Sequence, residues 1–392
     1  MCAIEHNNFA KFKIGISKFV AIAILICLTI QIVGCSSTKD EPSGDMQLSI
    51  AVMGSKQVYD YDTSFLNGIE MAVNDFNQQY SGKGFNAAYK IYDDEYDFEK
   101  GVVIAKELSS DPKITAVIGS HSFNILDSSV DFFEDSKKIL IAANGMMDKS
   151  ILNKKYKYVF RNTFGEMEMG ASMADHAAKI GADRIAIYHS NTEFENNLGM
   201  AFSKRALEND LKVLDDVSEI GSQKDFDNIF NRWEAIGINC LMISQESIAD
   251  AFMLAERIRT KSDKIKIYGD FSFDAEEMLM ENKEFVEGII IPTLVPVSQS
   301  KALEDFDVRY KELYGSVPTW WAAHAYDSVR MVLDTAVKVD SNMPEKIAEG
   351  LHSKSGYQGI KGQIAFDESG LLANIKPVYS IVENGRLVNL KR

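Results

Sequence analysis

From residue 48 onward, short apolar runs alternate with amphipathic stretches, the pattern of βαβ units feeding a parallel sheet. Apolar runs at 48–52, 87–92, 114–118 and 139–142 predict strands, and helical spacing fills 63–80, 98–110 and 124–137 between them. After a further strand at 158–161 the alternation begins again. Strands are predicted at 184–188, 212–217, 240–243, 265–268 and 288–291, with helices near 167–180, 198–209, 225–236, 247–260 and 275–281. A helix-rich stretch follows at 301–314, 320–339 and 344–351. The chain then returns to strands at 363–366 and 378–382, with an Asn384-Gly385 pair suited to a hairpin turn. This tail is too short to fold by itself, so it should extend a sheet already formed.

Two such series in 392 residues exceed one ordinary hydrophobic core and predict an α/β fold of two doubly wound parallel-sheet lobes in tandem. Open α/β sheets bind ligands beyond the carboxyl ends of their strands. That rule puts 54–61, 119–124, 144–147, 189–194, 244–247 and 269–272 at the candidate site. Several of these segments lead into helices, whose first amides favour an anionic group such as a carboxylate. Two lobes facing one another would enclose a small solute by closing on a hinge.

The start of the chain follows another pattern. Lys11, Lys13 and Lys18 precede an apolar run at 19–30, of secretory length and short for a membrane span. It ends in Ile32-Val33-Gly34-Cys35, which resembles a bacterial lipobox. The expectation is a signal peptide at 1–34, a lipid on Cys35 and a polar tether through residue 45. The protein would then be exported and anchored to the outer face of a bacterial membrane, at the cell surface or in the periplasm. Net charge is −15, a body that repels a phosphate backbone and argues against a nucleic-acid partner. Of four cysteines, Cys2 and Cys27 leave with the signal and Cys35 takes the lipid. Cys240 is left alone in an apolar strand, so no internal disulfide is expected and a small buried side chain is.

Catalytic and metal chemistry find little support. Ser120-His121-Ser122 has no Gly-x-Ser-x-Gly elbow around it, and sequence neighbours do not make a Ser–His pair. Asp93, Asp94, Glu95 and Asp97 lack calcium-loop spacing and read as a solvated strand end. Six histidines show no His-x-x-x-His pattern, and Cys-x-x-Cys is missing as well, so neither a metal nor a cofactor is expected. Ser81-Gly82-Lys83-Gly84 reads as a turn, Trp233 as core, and Trp320-Trp321 as helix packing. The expectation is a binding protein and not an enzyme.

Several stretches, in order, carry a resemblance. They are Ile50-Ala51-Val52-Met53-Gly54 with Asn67-Gly68-Ile69-Glu70, then Tyr92-Asp93-Asp94, Val117-Ile118-Gly119 and Tyr158-Val159-Phe160-Arg161. Arg184-Ile185-Ala186-Ile187, Tyr310-Lys311-Glu312-Leu313-Tyr314-Gly315, Ala325-Tyr326-Asp327-Ser328 and Gly362-Gln363-Ile364-Ala365-Phe366-Asp367 continue it. Together they resemble the branched-chain amino-acid binding proteins of ABC importers, with the type I periplasmic-binding-protein fold. The resemblance implies a multi-strand hinge, with 46–162 and 293–357 in the first lobe and 163–292 and 358–392 in the second. It implies a monomer that captures a solute between the lobes and passes it to an ABC permease. A sensor that uses the same fold to control a membrane kinase or cell-wall enzyme is the alternative.

The resemblance also proposes contacts. Family members offer serines to the ligand carboxylate from the loop after Val-Ile-Gly. Here Ser120, Ser122 and Asn124 stand there, with Phe123 at the position of a key serine. The next strand leads into Asn144-Gly145-Met146, where Met146 replaces a threonine. Tyr61 and Phe194 match aromatic positions, and Glu166 matches an acidic one. The usual Gly-x-Glu ammonium partner becomes Gly269-Asp270-Phe271, and Glu246 is a further candidate for a cation. The family's frequent disulfide pair falls on Tyr96 and Ser122. Phe123, Met146 and Phe271 make this pocket more apolar than the family's, which favours a small amphipathic solute: an amino acid, an amide or a short peptide.

Overall fold

The computed structural model describes residues 44–119, 122–143, 154–218, 221–293, 300–373 and 378–390, apart from the side chains of Tyr61, Glu276 and Glu277. The first lobe is built on β1 (Met46–Gly54), α1 (Lys56–Tyr61), α2 (Ser64–Tyr80), β2 (Phe85–Asp93), α3 (Phe98–Ser110), β3 (Ala116–Gly119), α4 (Phe123–Asp135), β4 (Ile139–Ala142) and β5 (Val159–Arg161). Its five strands are all parallel and lie in the order β2-β1-β3-β4-β5. Helices cover both faces, so β3 and β4 are buried along their whole length and read as unbroken apolar runs. The edge strand β2 is less covered: only Phe85 and Ala87 are buried, and Lys90 and Ile91 are both exposed.

The second lobe repeats the plan. It comprises α5 (Glu166–Lys179), β6 (Arg184–His189), α6 (Glu193–Glu208), β7 (Lys212–Ser218), α7 (Gln223–Ile236), β8 (Cys240–Ser244), α8 (Ile248–Lys261) and β9 (Lys266–Gly269). A 3-10 turn at Phe271–Phe273 and the short helices α9 (Glu276–Glu281) and α10 (Lys283–Val286) lead to β10 (Ile290–Thr293). The chain then returns to the first core through α11 (Lys301–Tyr314), α12 (Trp320–Lys338), α13 (Pro344–Leu351), β11 (Tyr357–Gly359) and β12 (Gly362–Ile364). It ends on β13 (Val378–Glu383) and β14 (Arg386–Asn389). The second sheet runs β14-β13-β10-β9-β8-β6-β7, parallel from β7 to β10 and antiparallel beyond. The tail thus extends an existing sheet, and Asn384 and Gly385 both take positive φ, 52° and 73°, as a tight hairpin requires.

Some expectations change. The helix expected from 198 starts at Glu193, so Phe194 lies in its first turn and not in a loop. The strand expected at 363–366 pairs with β11 in a small separate hairpin. Ile364 and Phe366 are buried in the first core, although 358–392 had been expected in the second lobe. The acidic strand end is only partly solvated: Asp94 is buried, its Oδ1 accepting from the Tyr96 amide at 2.9 Å, while Asp97 caps α3 through the Lys100 amide. Cys240 is buried, and burial pushes its thiol up to about 12, as an inert core residue requires. Trp233 is buried too and donates its indole N–H to Asp215 at 2.7 Å.

Packing between elements is close at Gly68 on α2. A β-carbon there would run into the Ala322 carbonyl of α12, which is why a glycine stands in a helix interior at this point. Among the described residues no helix is long and apolar enough to cross a membrane.

Candidate functional site

Strand order locates the site. The first sheet reverses direction of winding between β1 and β3, and the second between β6 and β8. Ligands of open α/β sheets sit outside the carboxyl ends at such switch points. In the second lobe those ends are His189 and Ser244, and the residues just beyond them form one connected network. Ser190 Oγ donates to Gln245 Oε1 at 3.1 Å and accepts from the Glu246 amide at 3.1 Å. His189 bridges its own neighbour and the edge strand, with Nδ1 2.8 Å from the Ser190 carbonyl and Nε2 3.1 Å from Asp216. Both partners are acceptors, so the protonated ring is favoured and its pKa rises, the Asp216 carboxylate being the main cause.

Carboxyl groups gather on this face. Asp270, at the end of β9, is buried; Ser272 donates to its Oδ1 from both amide and hydroxyl, and Ser244 Oγ donates to its Oδ2. Burial nevertheless outweighs these bonds and pushes its pKa up. Glu195, in the first turn of α6, is only 5% exposed and is raised to about 7, chiefly by burial and further by Asp270 and Glu246. Tyr96, in the loop after β2, brings the first lobe opposite this group. Its phenol is pushed up by partial burial and then by Glu246, Asp94 and Glu195. No three of His, Cys, Asp and Glu among the described residues are arranged to hold a metal ion.

Aromatic rings meet beside the acids. Phe271 stacks on Phe164 at 6.0 Å between centroids and on Trp320, at the start of α12, at 5.1 Å. Trp320 in turn lies 3.9 Å from Trp321, which meets Phe65 edge-on at 6.1 Å. A ring of the second lobe therefore packs on a ring of the first, and desolvated carboxyl groups lie next to that contact. Carboxyl groups and stacked rings thus share the strand-end face of the second lobe.

The sequence from 53 to 379 matches the periplasmic binding protein family. The chain belongs to that family. Such proteins bind small molecules outside the cytoplasm, and the two parallel-sheet lobes seen here are of its type I form. This periplasmic binding protein is 20% identical over 325 residues to Leu/Ile/Val-binding protein homolog 1 of Brucella abortus, covering 82% of this chain and 86% of that one. An ABC transporter substrate-binding protein from Desulfitobacterium hafniense, solved in complex with Leu, aligns with a TM-score of 0.77 and 24% identity over 88% of this chain and all of its own. A solute-binding protein from R. palustris, solved in complex with 4-hydroxybenzoate, aligns at 0.73 and 18% over 88% of this chain and 96% of its own.

The structure brings Asp270, Phe271 and Glu246 together on the second lobe's strand-end face. Glu166 is fully buried at the start of α5, its Oε1 accepting from Asn197 Nδ2 of α6 at 3.2 Å. Phe194 is half-buried and packs on the second lobe's core. Ser122 is the N-cap of α4; Phe123, half-buried, and Asn124, exposed, form that helix's first turn. Ser120, Asn144, Gly145, Met146 and the lipidation candidate Cys35 lie outside the described residues, as does the side chain of Tyr61. Glu195, Gln245, Tyr96 and Trp320 are added by the structure. Glu195 escaped notice because an acid in a helix's first turn ordinarily complements the helix dipole in water.

Trp320→Ala removes the ring that joins the lobes. A stacked aromatic pair contributes about 0.5 to 1.5 kcal/mol beyond its burial, so the closed form should lose population and solute affinity should fall about tenfold. Small-angle scattering should show a larger radius of gyration for the variant without solute; an unchanged radius and unchanged affinity would remove Trp320 from the closure contact.

Proposed function

We propose that this protein captures a small amphipathic solute, an amino acid, amide or short peptide, between its lobes and delivers it to an ABC importer. The supporting observation is the meeting of buried carboxyl groups with aromatic rings from both lobes at the strand-end switch points. In this reading Asp270 and Glu166 face the solute's ammonium group, while Phe271, Phe194, Phe123 and Tyr61 flank its apolar part. Ser120, Ser122, Asn124, Asn144, Gly145 and Met146 line the first lobe's side, with Glu246 at the opposite rim. A lipid on Cys35, after loss of residues 1–34, would hold a monomer near its permease. The first lobe then takes 46–162 and 293 onward through the hairpin of β11 and β12, and the second takes the rest. Relatives of this fold hold molecules as different as leucine and 4-hydroxybenzoate, so membership leaves the solute open. The relatives named above give the regulatory alternative no support.

A thermal-shift panel of amino acids, amides, aromatic acids and short peptides tests the capture. A true solute at 100 times its dissociation constant should stabilise the protein by about 2.7 kcal/mol. A flat response across the whole panel would sink the proposal.

A further inference from the structure

We infer that the captured solute carries a second positive group besides the ammonium of an ordinary amino acid, and that Glu195 receives it. The inference rests on the capture reading and narrows it to basic amino acids and aliphatic diamines. Glu195 and Gln245 are 5% and 9% exposed, and Glu195 Oε2 and Gln245 Nε2 have no hydrogen-bond partner among the described residues. Both lie just past the carboxyl ends of β6 and β8, where the strand order itself directs a ligand. A buried polar atom without a partner is a rare feature of native proteins and calls for something that completes it.

The charges around Glu195 say what that something is. Asp270 bears on it from the end of β9 and Glu246 from the loop after β8, while the Tyr96 phenol of the first lobe, its own pKa raised, adds a neutral hydroxyl. Among the described residues, the cation that acts on Glu195 is His189, already engaged by Asp216 and the Ser190 carbonyl. Asp270 has both oxygens occupied by Ser244 and Ser272 and acts through its field, whereas Glu195 keeps an oxygen open. A zwitterion with one ammonium would bring these three carboxyl groups a single positive partner, together with a carboxylate of its own to place among them. The carboxyl groups are also not gathered closely enough to share a metal ion. They fit charge spread along an organic chain, with the rings of Phe271 and Trp320 beside its methylenes. Because Glu195 holds its proton up to about 7 without solute, a cation should expel that proton, and affinity should climb between about pH 6 and about pH 8.

Isothermal titration calorimetry on the purified protein with L-lysine, agmatine and 1,5-diaminopentane, against L-leucine and 4-hydroxybenzoate, decides this. The doubly cationic probes should bind at least about tenfold more tightly than leucine, with a heat that varies with the buffer as a proton is released. Glu195→Gln should weaken them at least about tenfold more than it weakens leucine, and Glu195→Asp should recover part of the loss. Tighter binding of leucine or 4-hydroxybenzoate than of every doubly cationic probe would overturn the inference and leave the capture reading standing. Equal loss for both probe classes in Glu195→Gln would overturn the role of Glu195. Silence from all five probes, together with a flat thermal-shift panel, would remove the capture reading as well.

Discussion

Glu168→Ala should destabilise the protein by about 3 to 5 kcal/mol, more than any other single change considered for this molecule. Arg161 is fully buried at the end of β5, where the chain leaves the first sheet, and its Nη2 donates to Glu168 Oε1 at 2.6 Å. The second oxygen of Glu168 accepts from the Gly165 amide at 2.9 Å and so ties the start of α5 to the same pair. Arg161 also uses its backbone, its amide donating to the Gly370 carbonyl at 2.8 Å. The start of α5 and the segment at Gly370 therefore both meet Arg161, one at its guanidinium and the other at its backbone. Removing the carboxylate takes a charged hydrogen-bond partner from a fully buried cation, and the cost of that loss far exceeds the worth of an exposed ion pair. Urea denaturation should show a lower midpoint at an unchanged slope. Glu168→Gln keeps a hydrogen-bond acceptor and should lose less. A loss below about 1 kcal/mol for the alanine variant would mean that other contacts of Arg161 carry its charge.

The fold was legible wherever burial left a local trace. Strands such as β3 and β4, covered on both faces, can hold little but apolar side chains, and β7 at its sheet edge alternates residue by residue. Asn384-Gly385 announced its hairpin because few other pairs tolerate two positive φ values. The site was legible only in part. The place after a strand pointed to 269–272, and the resemblance singled out Asp270 and Phe271 within it. The stack of Phe271 on Trp320 joins segments far apart in the chain, and nothing near either residue marks it. Glu195 is the clearest case. Its neighbours Thr192, Glu193 and Asn196 belong to an ordinary solvated helix start, and the acids that act on its carboxyl, Asp270 and Glu246, follow β9 and β8 far along the chain. Short elements failed for a related reason, since the three residues of β11 are too few to show a period.

Glu195→Gln should behave in the opposite way to most core substitutions and stabilise the solute-free protein, by about 2 kcal/mol at pH 8. In an unfolded chain a glutamate loses its proton near pH 4.3, whereas the folded protein retains it up to about 7. Between these values folding takes up a proton, so stability falls as pH rises through the window and levels off above it. The whole shift corresponds to roughly 4 kcal/mol, of which the buried amide of the variant forfeits a part because it too lacks a partner. At pH 4 the carboxyl is protonated in both states, and parent and variant should differ little. Burial pushes Asp270 in the same direction, so the variant should keep a shallower slope and not a flat one. Urea midpoints at pH 4, 6 and 8 measure this directly; parallel profiles for the two proteins would show that Glu195 keeps an ordinary carboxylate. The sign carries the functional point. A carboxyl that weakens its own fold at neutral pH, where an isosteric amide would not, suits a group that meets its partner from solution. Saturating cationic solute should accordingly erase the variant's advantage at pH 8, because the parent alone has a carboxylate to meet it.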